Sequence, residues 1–408
     1  MVQKVEKNII DVNDEFMVKR TDNIFYRAQI IEIRTLDNGE TEYFVHFHGY
    51  DRRLDEWITL DRIDKLSKNK FKRKQNGLYL EENVVLTRNK RKKINESLEI
   101  EDPSVKSEFD RLESEHLEVT KVKYIEKIQL GNYEIKTWYF SPFPDEYRKL
   151  KQLWICHNCL KYMKKPEIWY KHKMSCNLNQ QFGQQVYEND DLTVFQHYGD
   201  EEKLFCQNLC LISKLFLDHK TLYYDVSPFV FYTLYAKVDG EMRLVGYFSK
   251  EKYSSENNIL ACILVLPPFQ RKGFGRFLIA FSYEVAKVLG EIGSPEKPLS
   301  DLGRLSYKSY WEYEIFNFLL TKTVTDVKEI SKATSITEED ILWTLQEQNY
   351  LHFWRYDDQI SLRCSDLEKF NFNDSIKRPL IHINGAHLQR DIIQPPKRLQ
   401  DVEGFSCK

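Results

Sequence analysis

The 408-residue chain has no apolar run of membrane-spanning length. A helix that crosses a bilayer needs about 20 consecutive apolar residues, and a stretch such as ILACILVL (259–266) stops far short of that. The residues after Met1 (VQKVEKNIID) are polar, so no signal peptide and no membrane partner are expected. Cysteine is scarce, with eight in the whole chain. Together these absences indicate a reducing compartment, where clustered cysteines mean metal or catalysis rather than disulfides. Charge bias is lacking too. The 60 Lys and Arg against 62 Asp and Glu leave a net charge of −2, so the composition does not announce a nucleic-acid binder. Two nucleotide signatures are missing as well. No G-x-x-x-x-G-K-[ST] occurs, which excludes a P-loop, and Leu278 stands where a G-x-G-x-x-G fingerprint needs its third glycine.

What is present centres on residues 258–288. Ile259 to Leu266 is a short apolar run that suits a buried strand, and Pro267 and Pro268 end it. Gln270-Arg271-Lys272-Gly273-Phe274-Gly275-Arg276 follows. Phe277, Leu278, Phe281, Val285 and Val288 then recur at three- and four-residue intervals and share one helix face. A strand, a glycine turn and a helix start make an anion site. The first helical amides lack intrahelical partners, the dipole is positive there, and glycine lets the backbone approach a phosphate. The alternative is a strand–helix turn without a ligand.

The rest of the chain divides by pattern. Between Phe16 and Ile63, alternating strands around Asp37-Asn38-Gly39 predict a small β-barrel over 9–66. Tyr26, Phe44, Phe47, Tyr50 and Trp57 could together form an aromatic face that holds a methylated ammonium by cation–π attraction, while each ring by itself reads as core. Residues 67–118 carry basic clusters (SKNKFKRKQ, RNKRKK) and then an acidic stretch, and read as a charged flexible linker. Cys156, Cys159, His172 and Cys176 follow the spacing C-x2-C-x12-H-x3-C. Such a set converges on one tetrahedral Zn²⁺ with no open position, so the site is structural. His157 lies inside the knuckle and is not counted as a ligand. Cys206 and Cys210 read as core. Asp239-Gly240 joins two strands, Phe229–Val238 and Leu244–Ser249, and a helix is expected from Leu305 to Leu320. VKEISKAT, EEDILWTLQEQN and a ribbon of YLHFWRY with QISLR resemble a winged-helix unit, and the acidic second helix argues for a structural role.

The loop Q-x-x-G-x-G fits the pyrophosphate loop of acetyl-CoA-dependent N-acetyltransferases. LFLDHKTLYYDV (215–226), VGYFSKEK (245–252), ACILVLPPFQRKGFGRFLI (261–279) and GSPEKPLSDLGRLSYKSYW (293–311) resemble the MYST family of histone acetyltransferases, especially its histone H4-acetylating branch. The resemblance covers almost the whole chain. It implies an α+β fold with an N-terminal chromo-barrel, a C2HC zinc finger (153–178) fused to an acetyl-CoA-binding core (179–320), and a winged-helix-like part (321–395). Residues 119–395 would form one acetyltransferase domain. It also implies a nuclear enzyme that uses acetyl-CoA on histone tails and nucleosomes within a histone H4 acetyltransferase complex, in transcription regulation and DNA repair. RNA, DNA or methyl-lysine would be met through the barrel and basic linker.

Acetyl transfer to lysine needs an uncharged amine, and a free lysine has a pKa of about 10.4, so a base must take the proton. Glu296 is held between Pro295 and Pro298 in a short loop, and by resemblance it matches the family's catalytic glutamate. Glu284, inside the helix, is the discarded rival. Cys262 matches the active-site cysteine; read alone, it is a small buried strand residue. By resemblance, Ile263, Leu264 and Val265 offer backbone groups to the acetyl carbonyl and pantetheine arm. Gln270, Arg271, Lys272, Gly273, Phe274, Gly275 and Arg276 hold the pyrophosphate, and Ser300 and Ser309 contact the cofactor. Read alone, each serine would be a helix cap. Lys220 matches the lysine acetylated autocatalytically. The competing reading of the whole chain is a chromatin-binding adaptor with an inactive transferase fold.

Overall fold

Strict alternation builds the first sheet. In β1 (Glu15–Lys19), Phe16 and Val18 point inward and are buried, while their neighbours are half-exposed. β2 (Phe25–Thr35), β3 (Thr41–Phe47), β4 (Glu56–Thr59) and β5 (Ile63–Asp64) complete five antiparallel strands in the order β4-β3-β2-β1-β5. Ala28, Ile30, Val45, Phe47 and Ile58 close the barrel core with Phe16 and Val18. Gly39 turns the β2–β3 hairpin at φ +84°, a conformation that excludes most side chains. The computed structural model describes residues 10–36, 38–68, 122–176, 183–320, 326–347, 352–353, 360–361 and 381–393. Most of the expected linker and the tail around Pro395 and Pro396 lie outside the described residues.

The five aromatic residues fall into two separate groups, and Phe44 and Phe47 are core, as the reading of each ring by itself has it. Phe44 and Phe47 are three residues apart on one strand and so face opposite ways, and both are buried. Phe47 meets Tyr26, which meets Tyr50, and the Arg20 guanidinium lies 5.1, 5.8 and 5.7 Å from the rings of Tyr26, Phe47 and Tyr50. Phe44 pairs across strands with Trp57. Arg34 stacks on the Trp57 ring at 3.8 Å.

A second sheet belongs to the same unit of the chain. β6 (Lys127–Leu130), β7 (Tyr133–Lys136), β8 (Gln152–Ile155) and β9 (Tyr162–Met163) are ordered β7-β6-β8-β9, with the short helix α1 (Asp145–Arg148) between β7 and β8. The barrel is tied to it by polar contacts. Trp57 Nε1 donates to the Lys123 carbonyl at 2.9 Å, Tyr124 Oη donates to Glu32, and Arg34 bridges Glu42 and Glu126. By internal contacts this unit is Met1–Ile155, Tyr162–Lys171 and Leu211–Thr221, and the second is Cys156–Lys161, His172–Cys210 and Leu222–Lys408. Helix α2 (Pro166–Ser175) carries the end of the finger.

The second unit is organised on an all-antiparallel sheet ordered β10-β11-β12-β13-β15. Its strands are β10 (Gln184–Glu188), β11 (Leu192–Tyr198), β12 (Phe229–Val238), β13 (Glu241–Glu251) and β15 (Cys262–Val265). The β12–β13 hairpin turns at Asp239-Gly240, and β13 runs longer at both ends than its apolar pattern indicates because it pairs along all of β12. Helix α3 (Lys203–Lys214) precedes β12. It buries Cys206 and Cys210 as core residues, in line with expectation. A short parallel pair, β14 (Asn258–Leu260) with β16 (Ser294–Pro295), stands beside the sheet.

Helices α4 (Phe274–Leu289), α5 (Asp301–Leu320), α6 (Val327–Thr334) and α7 (Glu338–Glu347) pack on one another. Ile279, Tyr283, Tyr307, Trp311, Phe316, Ile330 and Ile341 share one buried cluster. Trp311 Nε1 donates to Tyr283 Oη at 2.7 Å. Helix α5 starts at Asp301 rather than Leu305, because the Ser300 hydroxyl accepts from the Gly303 amide and caps it earlier. Asp326 caps α6 by accepting from the Lys328 amide. β17 (His352–Phe353) and β18 (Ile360–Ser361) form the expected ribbon. Among the described residues, no helix is long and apolar enough to cross a membrane.

Candidate active site and metal centre

The strand–turn–helix unit forms as its pattern demands. β15 is the edge strand of the five-stranded sheet, paired only with β13 within it. The Leu266 amide donates to Val245, so in an antiparallel ladder Leu264 and Cys262 face β13 while Ile263 and Val265 turn their amides to the open edge. The Val265 carbonyl on that edge accepts from Gln270 Nε2 at 2.9 Å. Gln270 therefore folds the loop back onto its strand. Arg271 at φ +63° and Gly273 at φ +93° then make the left-handed turn that starts α4.

Gly275 is more informative. A Cβ there would meet only Val265 Cγ2, at 3.7 Å, which is ordinary contact. The fold does not need glycine at 275, whereas a phosphate approaching the backbone does. The amides of Phe274, Gly275 and Arg276 lie in the first helical turn, where no carbonyl precedes them at the helical spacing. Arg276 Nη1 donates to the Ser309 hydroxyl at 2.9 Å and to its carbonyl, and Arg276 stacks on Tyr313. Its Nη2 is buried without a partner. These features fit a bound diphosphate. Ser309 lies inside α5 and ties that helix to the loop, so it is not a cap; Ser300 is one.

Glu296 is half-buried in the loop between β16 and α5. Its amide donates to the Leu260 carbonyl at 2.8 Å, and Leu260 pairs with Pro295. Because Cys262 opens the strand just beyond Leu260, the structure brings Glu296 and half-exposed Cys262 onto neighbouring backbone. Glu284 lies within α4 and is held in an ion pair with Lys287 at 2.7 Å. Lys220 is buried at 8 % exposure in the first unit. The Leu260 and Val265 carbonyls, which shape the loops, escape sequence reasoning because main-chain roles leave no residue preference.

The four predicted metal ligands converge, with all four donor atoms within 4.8 Å of one another. Cys156 Sγ lies 3.8 Å from Cys176 Sγ, and Cys159 Sγ lies 3.3 Å from His172 Nε2. Two thiolates each about 2.3 Å from one tetrahedral zinc would be about 3.8 Å apart, so the donor set fits that ion. A hydrogen bond from Cys159 lowers the pKa of the Cys156 thiol and in turn raises that of Cys159, so the two sulfurs share one proton where a cation would displace it. Leu160 at φ +59° turns the knuckle. His157 is not part of the cluster.

Comparison with known proteins follows the same divisions. The MOZ/SAS family matches residues 180–388, the MYST family zinc finger domain 122–176, and the Tudor-knot, described as an RNA binding activity-knot of a chromodomain, 10–65. The chain belongs to the MYST family of histone acetyltransferases. This MYST member is 37% identical to "Histone acetyltransferase MOF" of Drosophila melanogaster over 93% of its own length and 53% of the fly protein, so it spans about half of that relative. It is 44% identical to "Histone acetyltransferase of the MYST family 2" of Arabidopsis thaliana, over 84% of this chain and 77% of that one. With "Histone acetyltransferase mst1" of Schizosaccharomyces pombe it shares 37% identity over 86% of each. As a MYST member it is a lysine acetyltransferase with acetyl-CoA as donor and a structural zinc in its finger. The family gives it a role at chromatin.

Proposed function

We propose that this enzyme acetylates lysines of histone tails, histone H4 foremost, on nucleosomes, as the catalytic subunit of a nuclear complex. The observation that supports the reading is the hydrogen bond from the Glu296 amide to the Leu260 carbonyl, which fastens the Glu296 main chain beside the strand that opens at Cys262 and runs into the phosphate loop.

Acetyl-CoA supplies an acyl thioester. The amides at residues 271–276 bind its diphosphate, and the outward amide of Ile263 polarises the thioester carbonyl as an oxyanion-hole donor does. Leu264 and Val265 line the path of the pantetheine arm. Glu296 takes the proton of the substrate ammonium. The neutral amine attacks the carbonyl carbon directly, a C–N bond forms, the C–S bond breaks, and the departing thiolate takes up a proton. Cys262 lies beside the thioester and carries no acetyl group. Arg276, held by Ser309, adds positive charge at the phosphates. Ser300 contributes by fixing the start of α5. Lys220 is the autoacetylated residue.

The proposed domains are a chromo-barrel at 9–66, a linker at 67–118 and the acetyltransferase domain at 119–395. The barrel and basic linker contact nucleic acid, with RNA favoured over methyl-lysine because Arg20 already covers the Tyr26, Phe47 and Tyr50 rings. Incubation with acetyl-CoA and nucleosomes, read by mass spectrometry, tests the proposal. Transfer to H4 by the wild type and its loss in Glu296→Gln supports it, and equal transfer by both contradicts it.

A further inference from the structure

The loop that carries Glu296 is fixed on one side by backbone. Ser294 N donates to Asn257 O, Glu296 N to Leu260 O, and Gly293 N to Ser335 O at 3.1 Å. Gly293 also bridges Ile336 in parallel register, and a Cβ at 293 would meet Asn257 O at 2.2 Å. The chain is thus pressed between β14 and the α6–α7 connection. On the other side the contact is made by a side chain. Lys297, the residue after Glu296, places Nζ 3.2 Å from Asp340 Oδ1.

Asp340 belongs to the first turn of α7 and is 3% exposed. Its Oδ2 accepts from the Thr337 hydroxyl at 2.9 Å, and that hydroxyl accepts from the Asp340 amide at 3.2 Å. The carboxylate is therefore oriented by its own helix cap, with one oxygen directed to Lys297. A buried carboxylate stripped of its cation is costly, so the pair holds despite the 45% exposure of the lysine side chain. Fixing the Glu296 amide and the Lys297 ammonium, on consecutive residues, leaves the Glu296 side chain little freedom beyond its own torsions.

We propose that Asp340 and Lys297 are positioning residues, through which α7 holds the Glu296 carboxylate at its working geometry. The proposal rests on Glu296 being the base, and it gives the C-terminal helices a part in catalysis beyond packing. A misplacement of about 1 Å in a reacting group costs on the order of 100-fold in rate. Freeing one end of the loop should cost part of that, roughly 10-fold.

The test is steady-state kinetics on a histone H4 peptide with the zinc-loaded 408-residue chain. Lys297→Met should lower kcat roughly 10-fold while KM for acetyl-CoA stays at its wild-type value, and its melting temperature should fall because the buried Asp340 carboxylate loses its cation. Lys297→Arg, which keeps the charge, should recover most of kcat. Asp340→Asn should behave as Lys297→Met does, and the double variant should be no slower than either alone. Wild-type kcat in Lys297→Met, or multiplicative losses in the double variant, would overturn the proposal. Glu296→Gln separates the two levels. If it is inactive while Lys297→Met is not, only the positioning claim fails; if it is active, the base assignment fails and this proposal with it. Should Asp340→Asn not fold, the half-exposed Lys297 variants decide alone.

Discussion

The Glu296 amide and the Leu260 carbonyl meet at 2.8 Å. Through that bond a loop far along the chain is fastened to the foot of the strand that opens at Cys262. General-base catalysis contributes about 10²–10⁴-fold to a rate. Glu296→Gln is nearly isosteric and should lower kcat by that range without changing acetyl-CoA binding, whereas Cys262→Ala should stay within about tenfold of wild type. Steady-state kinetics beside calorimetric binding checks both. A dead Cys262→Ala that still binds donor would point to an acetyl-cysteine route instead.

The two loop glycines should respond differently. At Gly275 the protein leaves room for a methyl group, so Gly275→Ala should fold with an unchanged melting temperature and lose donor affinity by roughly tenfold, about 1.4 kcal/mol. Gly273 sits at φ +93°, so Gly273→Ala should be destabilised by about 1 kcal/mol or more even without ligand. Thermal melting with and without CoA distinguishes the two.

The finger should bind one zinc tightly and depend on it. Cys159→Ser, or treatment with a strong chelator, should remove the metal and lower the melting temperature by roughly 10 °C. Metal analysis and calorimetry check this; full zinc content in Cys159→Ser would mean the ligand set is misassigned.

Burial pushes Lys214 down to about 8, and its ammonium donates to the Leu217 and Asp218 carbonyls. The unfolded chain, with an ordinary lysine near 10.4, therefore holds more protons between about pH 8 and 10.4. The cost of burying the charge is fully present below pH 8, and stability contributed by this site rises across that window, by about 3 kcal/mol in all. Urea unfolding at pH 7.5, 8.5 and 9.5 should show the rise in wild type and a flatter dependence in Lys214→Met.

The features legible in the sequence were those set by local spacing. The C-x2-C-x12-H-x3-C pattern gave the metal cluster, because a knuckle and a helical turn fix their own geometry. The Q-x-x-G-x-G turn and the Asp239-Gly240 hairpin were legible for the same reason. What escaped depends on long-range placement. Phe44 and Phe47 face opposite ways, which splits the aromatic set, and Arg20 reaches one group from just beyond the end of β1. The Lys297–Asp340 pair joins a loop to a helix cap that the sequence shows only as a helix start. The Arg276–Ser309 contact likewise needs α4 and α5 packed together.

The most direct measurement is a crystal structure of the chain with CoA bound. The account predicts the diphosphate within hydrogen-bond reach of the amides of residues 271–276, and the sulfur end lying along the open edge of β15 near Ile263 and Cys262. A cofactor seated elsewhere, with the loop amides turned to solvent, would contradict it.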